Sequence, residues 1–139
     1  MLARWPGRIK ADTHSPALVS QVDFYASLGA IAGAKPAASP DSMEQSAALL
    51  GQDRKGREWL VEHAGTLALI EGNWKLIPPN KGEKIQVNTN TETGNDPEPQ
   101  LYDISNDIGE KNNLAAQYPD RVKAMADRLA KIRGAEPRP

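Results

Sequence analysis

The chemistry open to this chain is bounded by a short set of side chains. It has two histidines and no cysteine, which excludes disulfides, thiolate metal sites and cysteine nucleophiles. His63 lies between two strand candidates, beside Ala64-Gly65. A histidine there is either a surface residue with a local hydrogen bond or a binding residue held over a rigid sheet. His14 has no such context and reads as a plain loop residue, and two histidines without geometry define no Ser/His/Asp triad. Asp103-x-Ser105-x-Asp107, followed by Gly109, alternates as a calcium loop does. An EF-hand, however, needs glycine directly after the third ligand and glutamate at the twelfth position, where this chain has Leu114. These side chains are therefore expected to cap backbone groups. The basic run Asp53-Arg54-Lys55-Gly56-Arg57 lacks phosphate-loop spacing and reads as a solvated turn. Trp74 and Lys75 could frame an anionic sugar by stacking and charge. Strand alternation favours a plainer account, with Trp74 under a helix and Lys75 toward solvent.

Composition narrows the partners. The 139 residues carry a net charge of -1, so no global field draws the chain to nucleic acid or to an anionic membrane. No apolar run is long enough to span a bilayer. The start, Met1-Leu-Ala-Arg-Trp-Pro-Gly-Arg, lacks the apolar core and cleavage site of a signal peptide. Hydrophobic residues make up 39%, which implies a thin core or long polar loops.

Several elements would position these groups. Met1 to Trp5 is a short apolar strand candidate ended by Pro6-Gly7, a type II turn dipeptide. Such a strand needs a sheet to join, because alone it cannot satisfy its backbone donors. Ser20 caps a first helix with Asp23 as capping-box partner. Val22, Tyr25, Leu28, Ile31 and Ala32 form its apolar stripe, and Gly33 ends it. Lys35 to Pro40 is a linker, and a second helix is expected from about Met43 to Leu50, capped by Ser42 or Asp41 and stopped by Gly51. Strand candidates follow at Trp59–Val61, Thr66–Ile70 and Trp74–Ile77, the last two joined at Gly72-Asn73. Pro78-Pro79 stops the third strand. Lys84–Val87 is a brief strand in a long polar loop, and Leu101-Tyr102 ends the sheet. Pro119 opens a final helix to Arg133. Val122, Met125, Ala126, Leu129 and Ile132 form its apolar stripe, opposed by Arg121, Lys123, Asp127, Arg128 and Lys131. Gly134 ends it, and the Glu136–Pro139 tail is expected to fray.

Four pieces in this order resemble the C-terminal part of the formylglycine-dependent sulfatases, in the alkaline-phosphatase-like superfamily. They are Ala3-Arg4-Trp5-Pro6-Gly7-Arg8-Ile9, Leu18-Val19-Ser20-Gln21-Val22-Asp23, Gly72-Asn73-Trp74-Lys75-Leu76-Ile77, and Leu101-Tyr102-Asp103-Ile104-Ser105-Asn106-Asp107-Ile108-Gly109-Glu110 with Asn113-Leu114-Ala115. The last is the most specific; Ile108 departs from it where the family has proline, which bears on the rigidity of that turn.

The resemblance implies an α+β fold: a small antiparallel sheet from Trp59 to Tyr102 packed by the C-terminal helix, preceded by a partial α/β core segment of strand plus helices. It implies two parts, residues 1–52 as a remnant of the sulfatase core and residues 53–139 as the C-terminal subdomain. The family's nucleophile is a formylglycine made within Cys/Ser-x-Pro/Ala-x-Arg, a motif this chain lacks, and its calcium or other divalent cation is held elsewhere. The resemblance therefore implies no catalytic residue, metal ligand or cofactor in this chain, and no activity alone. It also implies that His63 contacts substrate in a full-length parent, and that the partners are a sulfatase core or a sulfated substrate. A non-catalytic carbohydrate-binding or interaction module is the alternative reading, and a piece completing an active site on another chain is a third. Sulfatase parents are often periplasmic or secreted. Without its core, the segment through residue 40 is expected to self-associate or to wander.

Overall fold

The computed structural model describes residues 1–39, 41–63 and 66–135. Pro40, Ala64-Gly65 and the Glu136–Pro139 tail, with the fraying expected there, lie outside the described residues. The elements run as a 3-10 turn over Gln21–Asp23, α1 (Phe24–Ile31), α2 (Ser46–Leu49), β1 (Trp59–His63), β2 (Leu67–Glu71), β3 (Trp74–Ile77), β4 (Ile85–Gln86), β5 (Thr91–Glu92), β6 (Gln100–Asp103) and α3 (Pro119–Ala135). They form two compact units, one running to Leu60 and the other from Val61. The class is α+β, with a four-stranded sheet in the order β1-β2-β3-β6 and a separate β4-β5 ribbon.

The second unit is built on one cross-strand row. Antiparallel pairing sets Leu69 opposite Leu76, and Leu76 opposite Leu101. All three are fully buried, and Met125 and Leu129 of α3 are buried with them, α3 lying against β2 and β3. Each such side chain contributes roughly 1.5–3 kcal/mol on burial. The β2–β3 hairpin closes on Gly72-Asn73, with positive φ at Gly72 (58°) and not at Asn73, the requirement of a type II′ turn. Val122, Met125, Leu129 and Ile132 carry the inward face of α3, whereas Ala126 is exposed, because it lies about 100° round the helix from Met125. Arg128, expected on the solvent face, reaches Glu71 at 2.9 Å.

In the first unit the expected polarity of the helix is reversed. The buried residues are Asp23 and Ser27, while Tyr25 (55%) and Leu28 (56%) of the apolar stripe are exposed. Asp23 takes a bidentate pair from Arg57, Nε at 2.7 Å and Nη2 at 2.5 Å. It also accepts the backbone N–H groups of Met43 and Ser20. Ser42 Oγ accepts from the Ala26 N–H, and Ser27 Oγ accepts from Gln45. The second helix begins at Ser46 rather than Met43, with Gln45, at φ -130° and ψ 27°, as its N-cap in place of Ser42 or Asp41. Arg57 is 7% exposed, so it departs from the solvated turn expected of the basic run, whose Arg54 and Lys55 are exposed. Gly56 (φ 66°) lies so close to Leu18 that a Cβ there would strike its backbone, and Arg57 N–H bonds Leu18 C=O at 2.8 Å.

Both short helices end in Schellman closures. Ala34 N–H meets Gly29 C=O and Gly33 N–H meets Ala30 C=O; Gln52 and Gly51 do the same with Ala47 and Ala48. The Pro6-Gly7 turn forms as expected, with Gly7 at φ 82° and Arg8 N–H to Trp5 C=O at 3.0 Å. Met1–Trp5 is not a strand; no neighbouring strand pairs with it among the described residues.

Two outcomes follow. Leu129→Ala should destabilise the second unit by about 2–5 kcal/mol, against less than about 1 kcal/mol for Leu28→Ala in the isolated chain, as read by urea unfolding. Burial pushes the Asp23 carboxyl up, but hydrogen bonds from Arg57, Met43 and Ser20 outweigh it and hold the group below the ordinary aspartate value. A folded value lower than the unfolded one stabilises above the unfolded value, about 3.9. That stability fades as pH falls from there through the folded value. Amide exchange in α1 should therefore quicken in that acid window, and Asp23→Asn should be destabilised already at neutral pH by about 3–5 kcal/mol.

Candidate functional site

The sheet face opposite α3 carries a cleft of about 240 Å³, lined by Glu62, Ala68, Lys75, Gln100, Tyr102 and Glu110 among others. Alternation places these residues there. Lys75 pairs with Tyr102 in the β3–β6 register, one residue out of step with the leucine row that faces α3. Ala68, Ile77 and Tyr102 pack as the apolar floor, with Ile104 against them.

The polar groups of the cleft are largely engaged with one another. Lys75 Nζ bonds Glu110 Oε1 at 2.6 Å. Tyr102 Oη donates to Gln100 Oε1 at 2.8 Å, and Gln100 Nε2 donates to the Gly94 carbonyl at 2.9 Å. Burial, then the Glu110 and Glu92 charges, raises the Tyr102 phenol above its ordinary value, so it stays protonated near neutrality and is no base. Glu62, Glu92 and Glu110 outnumber the single ammonium, which makes a negative lining. A sulfate ester, itself an anion, needs cationic or N–H donors, so the cleft alone does not suit one. Among the described residues no group of three or more His, Asp or Glu could hold a metal ion.

His63 is exposed at the end of β1, and its neighbour Glu62, not His63, lines the cleft. Successive strand residues face opposite sides of a sheet. His14 is exposed and lends its carbonyl to Arg54. Trp74 stacks edge-on with Tyr118 at 5.3 Å, and the Arg121 guanidinium stands 4.5 Å above its ring. Lys75, expected in solvent, is instead half-buried in its pair with Glu110. Sequence reasoning missed that pair, since thirty-five positions separate its members and no local pattern joins them.

The Asp103–Asn113 stretch is a capping device. Asp103 accepts from the Ser105 N–H and hydroxyl and from the Asn106 side chain. Asp107 accepts the N–H groups of Lys111 and Asn112. These bonds hold both carboxyls below their ordinary values. Asn113 Oδ1 accepts from Leu101 and Ala115, joining the last strand to the approach to α3.

No family model matches the chain. Among curated proteins, it is 41% identical to an N-acetylgalactosamine-6-O-sulfatase of Bacteroides thetaiotaomicron, over 95% of this chain and 26% of that protein. It is 33% identical to human arylsulfatase A, over 89% of this chain and 28% of the relative, and 28% identical to mouse arylsulfatase K, over 95% and 24%. The chain thus spans about a quarter of the length of the curated relatives it matches. Among solved structures, a sulfatase from the glycosaminoglycan metabolism of Bacteroides thetaiotaomicron superposes with a TM-score of 0.82 at 41% identity, over 93% of this chain and 28% of that one. A structure with bound D-glucosamine-2-N,6-O-disulfate superposes at 0.65 and 19% identity, over 94% and 27%, a likeness of fold alone. By sequence and by fold, the chain is a C-terminal sulfatase part of the alkaline-phosphatase-like superfamily.

Proposed function

We propose that this chain supplies the non-catalytic C-terminal part of a sulfuric ester hydrolase and has no sulfatase activity alone. The observation that carries this reading is the match of 95% of the chain to only 26% of the N-acetylgalactosamine-6-O-sulfatase. The name of that relative favours a sulfated sugar as the substrate class of the whole enzyme. Sulfate transfer needs a nucleophile and a means of stabilising charge on the sulfuryl group. The chain has no cysteine and no Ser-x-Pro/Ala-x-Arg run from which a formylglycine would be made. Its cleft is negatively lined, which suits a supporting sheet better than an anion site. His63, at the exposed end of β1, would meet substrate from the rim of a pocket completed by other residues.

The test is an aryl sulfate assay on the purified chain. No turnover is expected. Hydrolysis that scales with chain concentration and survives removal of contaminating sulfatases would overturn the proposal. Binding of a sulfated glycan by the isolated chain, lost in His63→Ala, would favour the carbohydrate-binding alternative instead.

A further inference from the structure

Where β3 begins, three side chains of the second unit come together with their donors unused. Trp74, half-buried, lies edge-on to Tyr118, and the Arg121 guanidinium stands 4.5 Å above the Trp74 ring. Tyr118 is 45% exposed, and Arg121 is exposed in the first turn of α3. Among the described residues, the Trp74 indole N–H, the Tyr118 hydroxyl and the Arg121 guanidinium have no hydrogen-bond acceptor or carboxylate partner. The carboxylates nearest in register are already engaged. Trp74 stands opposite Glu71 and Asp103; Glu71 receives Arg128, and Asp103 receives Ser105 and Asn106. Asp120, next to Arg121 in the chain, makes no ion pair with it among the described residues. Stacking engages the flat face of a guanidinium and leaves its in-plane N–H groups open. The cleft on the other sheet face is the contrast, because there Lys75 is closed by Glu110 and the lining is acidic.

We propose that Trp74, Tyr118 and Arg121 form a binding site for a sulfated sugar ring. The choice of sulfate over another anion rests on the reading of the chain as part of a sulfuric ester hydrolase; the site itself rests on the three side chains. A sulfate ester carries no proton near neutrality and only accepts hydrogen bonds, so a group of donors with no carboxylate among them complements it. The guanidinium fork matches two sulfate oxygens at once, and its seat on Trp74 holds it in place before the ligand arrives. The exposed Tyr118 ring offers an apolar face to the C–H face of the sugar and a hydroxyl to its rim. His63, on β1, takes no part in this site.

The experiment titrates the full chain with N-acetylgalactosamine 6-sulfate, with N-acetylgalactosamine and inorganic sulfate as comparisons, and follows the Trp74 indole N–H and the Arg121 Nε–H by NMR. Both signals should move with the sulfated sugar, and binding should weaken as salt is raised. Arg121→Gln should weaken it about tenfold or more. Arg121→Lys should recover only part of that loss, because an ammonium keeps the charge without the fork. Lys123→Gln, at an exposed α3 cation paired with Asp127, and His63→Ala should each change binding by less than about twofold. The unfolding midpoint of Arg121→Gln should stay within about 2 °C of the parent's, so that its loss of binding reads the contact and not the fold. Signals that do not move, equal binding by Arg121→Gln, or loss in His63→Ala alone overturn the site. Binding of N-acetylgalactosamine or of inorganic sulfate as tight as that of the sulfated sugar overturns the ligand assigned to it. The aryl sulfate assay stands apart: turnover there overturns the non-catalytic reading, whereas absent binding here overturns this site and leaves that reading in place.

Discussion

One carboxylate organises the first sixty residues. Asp23 is 0% exposed, and its two oxygens take Arg57 from thirty-four positions away, Met43 from twenty, and Ser20 from within its own turn. Arg57 then passes the constraint on, donating to the Asp41 carbonyl through its side chain and to Leu18 through its backbone. Three stretches, Leu18 to Asp23, Asp41 to Met43 and the turn before Arg57, are thereby fixed about one charge pair. A buried pair of this kind gives modest net stability, because both ions lose water, yet removal of either partner leaves a charge stranded. Its value here is geometric, since it fixes one arrangement among many that a thin apolar core would not tell apart.

The second unit solves the same problem by packing. Leu69, Leu76 and Leu101 lie side by side across three strands, and α3 closes over them with Met125 and Leu129. Polar groups work at its edges: Asn113 ties the last strand to the approach to α3, and Asp103 and Asp107 hold the intervening turn. The turn's acidic residues accept backbone N–H, hydroxyl and amide donors, which is the capping arrangement expected of them.

Local chemistry was legible in the sequence and long-range chemistry was not. The two-residue hairpin turn, the glycine closures at Gly33 and Gly51, the proline stop after Ile77 and the stripe of α3 each depend on neighbours within a few residues, and each forms. Two of the expectations that failed depended on a distant partner. Arg57 read as solvated because Asp23 is far away in sequence, and Lys75 read as solvated because Glu110 is. The second helix read too long because Gln45 takes a non-helical backbone and caps it one residue before Ser46. Ala126 failed for a local reason of angle, and Met1–Trp5 for want of a sheet to pair with. The candidate cleft was not legible in the sequence: it exists through strand register, and no spacing in the sequence brings Glu62, Lys75, Tyr102 and Glu110 together.

The two units differ in a way that bears on folding as well as function. In the second unit the sheet covers its apolar leucine row with its own helix. In the first unit a short helix has a polar interior, and apolar side chains stand on its outer side. At the N-cap and first turn of α1 the burial of Asp23 and Ser27 and the exposure of Tyr25 and Leu28 are two consequences of one rotational setting. The pair with Arg57 chooses that setting by drawing the polar side inward, and the apolar stripe must then point away from the unit. The same ion pair that orders the first unit therefore also aims its apolar face outward, and a substitution that freed Asp23 would be expected to disturb both together.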